Sequence, residues 1–541
     1  MKKPVRRNQW IVVIATCGIA GLAPMAQADS NTNVPAAATA AAAATNAPAG
    51  TAAPPASQPY GKKANEWFLR RLNEAFMEQM GTPCYSPPDT NAPPSPTRRI
   101  GNPPFDSPPY PDGDWQIGGG PNVIGDPGAL RDSPYPLMQA IYDGPDGKPW
   151  YDSRIQFYGW VTVSGNLSTS HNEGLNHSLE TANYPEVYDE RPDRLELDQA
   201  VLYIERMPDQ NQTDHIDWGF RIACLEGLDY RFMASRGYLN DNNLFRDNKF
   251  TGFDTPMLYL QVYVPQVAEG MSILLGRIIS MPDIEQQLAP NNLMASHSLV
   301  YSFDNYTMWG LWTSTKLNAN WVLQLSIADG VDIAPWATED PGDQPTGSVM
   351  VQYIAPNGKD SFYVGMNSFN NGQFGFNNLQ ECIESYTHKF NELWWTTFEA
   401  QYMWTHGCST VPTKSVPIED GFYPVKPGYA YAAGLVNYTM RRVAPNVFIT
   451  FRNEIWDDPS GYRSGYSSCY TEHSIGFQWW PNKLIMVRPE IRFEHCWTDD
   501  GLASSSAAFN STGAPARFKG AYDNGTRDSQ LTAAVDVTWH F

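Results

Sequence analysis

The sequence predicts an all-β chain: a transmembrane antiparallel β-barrel of about 16 strands, behind a disordered or irregular N-terminal periplasmic extension. Three observations carry this. First, the last residues alternate without a break. Leu531, Ala533, Val535, Val537, Trp539 and Phe541 share one parity, and Gln530, Thr532, Ala534, Asp536, Thr538 and His540 the other. A period of two puts these sets on opposite faces of a strand. Second, short turns and long loops alternate between the strand candidates, as on the periplasmic and extracellular sides of an outer-membrane barrel. Third, hydrophobic residues make up only 42% while aromatics reach 13%, with 18 Trp and 28 Tyr. Weak average hydropathy with Trp/Tyr girdles is the composition of such barrels.

The segments follow in order. Lys2, Lys3, Arg6 and Arg7, the apolar run Trp10 to Leu22 and the Ala26-Gln27-Ala28 site read as a cleaved secretory signal over 1–28. That run is too short to cross a bilayer as a helix, and no later stretch is long enough either. Residues 29–61 are an Ala/Pro-rich low-complexity linker that cannot build a core. Over 62–80, Trp67, Phe68, Leu72, Ala75, Phe76 and Met80 recur near one face, predicting a short amphipathic helix. Residues 81–152 are Pro/Gly-rich and read as irregular chain.

The barrel is expected over 153–541. Its strand candidates are about 153–166, 194–206, 216–228, 255–264, 271–279, 302–317, 321–329, 347–355, 360–368, 382–391, 393–406, 427–440, 446–457, 468–480, 484–497 and 528–541. Two do not sort into faces. Glu196 and Asp198 share parity with Leu202 and Ile204, which suggests a bulge or burial under a loop, and 302–317 is ambiguous throughout.

Elsewhere charges keep to one parity. A midplane Arg on the lipid face costs about 2–4 kcal/mol, so these charges are expected to face the lumen. Arg221, Glu399, Arg452, Glu454, Arg488, Glu490, Arg492 and Glu494 are therefore the candidate lumen-facing selectivity residues. Arg-Glu alternation on neighbouring strands would form a ladder, and such rows of charge set pore selectivity. A barrel this wide can hold an aqueous channel. The third long loop, about 280–301, is the candidate to fold inside and narrow it; an external position is the alternative.

Formal charge is −20, which argues against nucleic acid as a partner. Six cysteines follow the leader: Cys84, Cys224, Cys382, Cys408, Cys469 and Cys496. Cys469 and Cys496 are placed symmetrically about the Asn482 turn, which predicts a cross-strand disulfide. Cys382 and Cys408 flank another hairpin and are a second candidate pair. Cys224 falls on the lipid-side parity and reads as inert. Neither H-E-x-x-H nor G-x-S-x-G occurs, and Glu494, His495 and Cys496 alternate between faces, so no enzyme, cofactor or metal site is expected.

The chain resembles the putative beta-barrel porin-2 (OmpL-like) family of outer-membrane proteins over about residues 100–541. The matching residues include Phe105-Asp106-Ser107-Pro108-Pro109, Ile155-Gln156-Phe157-Tyr158-Gly159-Trp160, Asp217-Trp218-Gly219-Phe220-Arg221, Leu274-Leu275-Gly276-Arg277 and Met486-Val487-Arg488-Pro489-Glu490-Ile491-Arg492. The resemblance implies a porin-like barrel but no substrate. The expected function is an outer-membrane channel for passive diffusion of small hydrophilic solutes or ions. The alternative is a non-conducting structural or adhesion barrel with a plugged lumen. Expected partners are outer-membrane lipid, lipopolysaccharide and the barrel-assembly machinery, which would read Val537, Trp539 and Phe541 as its signal. By analogy of fold, a homotrimer is one candidate assembly; the sequence itself does not settle the oligomeric state.

Overall fold

The computed structural model describes residues 59–83, 134–171, 182–239, 250–279, 284–337, 343–357, 359–373, 378–391, 393–409, 427–464, 467–497 and 521–541. Sixteen antiparallel strands close into a barrel in which each pairs with its sequence neighbours and the last returns to the first. They are β1 (Ile155–Ser168), β2 (Leu195–Arg206), β3 (Asp217–Gly227), β4 (Gly252–Val264), β5 (Met271–Ile279), β6 (Thr307–Lys316), β7 (Trp321–Asp329) and β8 (Pro345–Ile354). The second half is β9 (Asp360–Phe369), β10 (Gln380–Asn391), β11 (Trp394–Cys408), β12 (Gly428–Ala444), β13 (Val447–Asp458), β14 (Ser468–Trp479), β15 (Ile485–Cys496) and β16 (Ser529–His540). Closure pairs Trp160 with His540 and Val163 with Val537.

The two-residue period explains why these segments fold this way. Along β16, Val537 and Trp539 are 41% and 47% exposed, while Asp536, Thr538 and His540 are buried. On the strands that the sequence sorts, the apolar parity mainly points out and the polar parity in. The strand that does not sort has a local cause. A register shift on the β1–β2 pair leaves Asp198 unmatched between Gln199 and Leu197. Leu195 and Leu197 face out before it, while Gln199, Val201 and Tyr203 face in after it. One extra residue swaps the faces. The ambiguous 302–317 segment is two structures joined: a helical turn, α4 (Leu299–Ser302), and β6, which starts only at Thr307.

Among the described residues three helices precede the barrel: α1 (Phe68–Met80), α2 (Pro136–Tyr142) and α3 (Gly147–Ser153). The last two lie where irregular chain was expected, and Pro136 opens α2 at a position that needs no amide donor. In α1 the packed stripe is Arg71, Ala75 and Gln79, while Trp67, Phe68 and Met80 stay exposed. Arg71 Nε donates to the Ala140 carbonyl (2.9 Å), tying α1 to α2. This unit sits at the short-turn end beneath the closing seam. Phe76 meets Trp539 edge-on, Tyr135 stacks on His540 (4.9 Å between centroids), and the Lys483 amide donates to Thr82 O.

The expected disulfides are absent among the described residues: Cys224, Cys382, Cys408, Cys469 and Cys496 are not linked. The β14–β15 register pairs Tyr470 with Cys496 and Gly476 with Glu490. Its centre is Lys483, one residue past Asn482, so Cys469 faces Trp497 and lies on the opposite face of the sheet from Cys496. Cys382 pairs with Tyr402, well away from Cys408 on the same hairpin. Cys224 is half-buried on the outward side, and Cys84 lies outside the described residues.

Candidate functional site

The third long loop (L3, residues 280–306, described from Ile284) leaves β5 and re-enters at β6, and between them it crosses the lumen. It reaches the far wall formed by β10 to β15. A buried loop must satisfy its own backbone polar groups, and here the charged wall does so.

Arg452 on β13 is the centre of this arrangement. Its guanidinium donates to Ser296 O (2.8 Å) and Ser296 Oγ (2.7 Å), and lies 3.2 Å from Glu472 and 3.1 Å from Glu490. Arg488 on β15 donates to Ala289 O and Asn292 O, each at 2.9 Å, while Asp536 on β16 holds its Nε at 3.0 Å. Arg492 donates to His297 O and to Glu494 Oε1 (2.6 Å).

The carboxylates take the loop's amides. Glu399 accepts from Ile284 N (2.7 Å), Glu490 from Ser296 N (2.9 Å), and Glu454 from Leu299 N (2.8 Å) and Val300 N. At the loop's end Asn305 donates to Glu381 on β10 (2.8 Å). Within the loop, His297 Nδ1 lies 2.7 Å from Glu285. Burial lowers the His297 pKa, so the ring is neutral at pH 7 and donates to that carboxylate.

Seven of the eight candidate charges therefore converge on L3 or its supports: Glu399, Arg452, Glu454, Arg488, Glu490, Arg492 and Glu494. Arg221 stands apart, paired with Glu205 at 2.7 Å. Each is buried and hydrogen-bonded rather than lining an open bore; Arg452 is 0% exposed. Glu472, Asp536, Glu285 and Ser296 belong to the same network and were not singled out from the sequence. Asp536 was legible, because it lies on the polar parity of the last strand. Ser296 and Glu285 lie on irregular chain, where no period marks them.

The first long loop adds a second layer. Tyr188 packs on His297 (3.9 Å between centroids) and donates to Gln287 (2.8 Å). Between the two loops and the wall remains a cavity of about 20 Å³, lined by Asp189, Asp198, Asp229, Asp536, Arg488 and His297 among others. That is room for about one water. A separate groove of about 660 Å³ lies on the outer wall where Gly165, Pro489 and Ala533 leave a dent; it is apolar and carries no chemistry.

The family model of the putative beta-barrel porin-2, OmpL-like proteins matches residues 154–541. The chain belongs to this family. It is a porin-like outer-membrane barrel, and its family and fold suggest a channel rather than an enzyme. No curated protein matches. Solved structures similar to it include the anion-selective porin from Comamonas acidovorans (11% identity, TM-score 0.44, covering 72% of this chain and 99% of that one). Others are the outer membrane channel DcaP of Acinetobacter baumannii (11%, TM-score 0.39, 72% and 97%) and OmpT of Vibrio cholerae (8%, TM-score 0.41, 72% and 97%).

Proposed function

We propose that this porin passes small hydrophilic solutes or ions by passive diffusion, with a preference for cations, along a lumen that L3 narrows and gates. One observation carries the reading: the L3 backbone hangs across the lumen on charged wall side chains, Arg452, Arg488 and Glu454 above all. Buried apolar contacts of Ile284, Leu288, Met294, Leu299 and Val300 also hold the loop, but its bonds to the wall are polar and can be exchanged for water. The cation preference follows from the cavity beside it. Four aspartates face one arginine, and Asp536 already compensates that arginine. On this reading seven of the eight candidate charges, all but Arg221, act mainly as L3 anchors or their supports, and selectivity resides in the aspartates beside the loop. The signal over 1–28 would be removed on export, and Val537, Trp539 and Phe541 would present the outward aromatic and apolar end read by the assembly machinery.

Liposome swelling tests the diffusion reading. Proteoliposomes should swell in small sugars and amino acids, with a sharp size cut-off. Folded barrel that gives no swelling with any solute would return the non-conducting alternative.

A further inference from the structure

We propose that the outward face of β12–β14 is an interface inside the membrane, and that a second copy of this chain occupies it. The inference rests on the outer-membrane reading.

The lipid face of this barrel is apolar at mid-height on most strands. It shows Val161 and Val163 on β1, Leu258, Leu260 and Val262 on β4, Leu325 and Ile327 on β7, and Ile491 and Phe493 on β15. One row departs from the pattern across three adjacent strands. Asn437 on β12, Asn453 on β13 and His473 on β14 are directly opposite one another in the ladder. Asn453 and His473 are exposed. Asn453 is the seventh of the twelve residues of β13 and lies between Phe451 and Ile455, both outward and exposed, which puts it near mid-height. Glu384 on β10 shares the outward parity, opposite Val364 and Ala400.

Polar groups in hydrocarbon need partners, because no water is there to supply them. Asn437 has them: its amide donates to Thr396 Oγ1 and Thr397 O, each at 2.9 Å. The Asn453–His473 pair is only half satisfied. His473 Nδ1 lies 2.9 Å from Asn453 Oδ1. With Nδ1 donating, the Nε2 lone pair and the Asn453 amide N–H remain without a partner among the described residues.

Those two leftovers are complementary to each other. One copy's Asn453 amide can donate to the second copy's His473 Nε2, and the reverse bond forms by the same symmetry. A self-complementary patch of this kind is what a two-fold contact requires. A lipid tail offers neither donor nor acceptor, so the identical face is the occupant whose chemistry matches.

The test combines three variants of the full-length protein in bilayer nanodiscs. Heat-modifiable gel migration first establishes that each barrel is folded, which separates a failed interface from a failed barrel. Wild type should run as an assembly by light scattering and native mass spectrometry. The double variant Asn453→Leu, His473→Leu should be monomeric yet folded, because leucine suits lipid. Asn453→Cys should give an oxidative dimer-sized product well above the wild-type background, whereas Val163→Cys on another outward face should not. A monomeric wild type, an assembly that survives the double variant, or a different protein bound at this face would each overturn the proposal.

Discussion

Replacing Arg452 with methionine removes the central clamp of L3 while keeping most of the side-chain volume. Two bonds to Ser296 are lost, at 2.8 and 2.7 Å. Glu472 and Glu490 lose the guanidinium that lies 3.2 and 3.1 Å from them. Hydrogen bonds to charged groups contribute roughly 1.5–3 kcal/mol each, and removing one partner of a buried ion pair costs about 3–5 kcal/mol. These figures overlap rather than add, so about 3–5 kcal/mol bounds the loosening. At 1.4 kcal/mol per tenfold, the ratio of displaced to docked L3 should rise about a hundred- to a few-thousand-fold. The assay is paired: labelling of a cysteine placed at Leu293 in L3, and open probability in planar bilayers. Both should increase together. The melting shift of the whole barrel, read by heat-modifiable migration, gives the part of the loss not localised in the loop. A folded variant with unchanged labelling and unchanged conductance would refute the clamp.

Burial raises the Asp189 and Asp229 carboxyl pKa values to about 7. They gain charge as pH rises through 7, so cation selectivity should be strong at pH 8 and weak at pH 5.5, as measured by reversal potential; a pH-independent potential would contradict the assignment. Lys483, half-buried in the β14–β15 turn, has its pKa lowered to about 8 by desolvation. The undocked form then binds more protons between pH 8 and the ordinary lysine value, so docking of the α1–α2 unit should strengthen as pH rises through that window. Protease resistance of residues 59–83 should follow, and Lys483→Met should flatten the dependence. A Cβ on Gly159 would collide with the Val201 carbonyl oxygen and stand 2.7 Å from the Phe541 ring. Gly159→Leu should therefore cut folded-barrel yield several-fold at the β1–β16 seam. Non-reducing peptide mapping should find Cys469 and Cys496 unlinked, and a joined peptide would contradict the register.

The strands were readable because each buried parity repeats every second residue, and Gln530 to Phe541 display that rule without exception. Reading failed where one residue changes the count. Asp198 flips the faces of β2, and centring the β14–β15 hairpin on Asn482 instead of Lys483 put Cys469 opposite the wrong neighbour. The candidate charges were legible as lumen-facing, since lipid excludes them. Their task was not. Whether Arg452 lines an open pore or holds Ser296 depends on where an aperiodic loop goes, and no local pattern encodes that path. The helices over 136–142 and 147–153 were hidden by prolines and glycines that here start or flank helices. The outward Asn453 and His473 were visible as polar residues on a lipid parity, but their meaning needed the register that sets them side by side.

Single-channel conductance in planar bilayers, comparing wild type with a barrel in which residues 285–302 are replaced by a short Gly-Ser link, tests the central claim most directly. L3 gating of a porin lumen predicts small or infrequent steps for wild type, and large, long-lived openings once the loop is removed. Equal conductance in the two proteins would deny L3 its role, and silence from both, with the barrels folded and inserted, would contradict the channel itself.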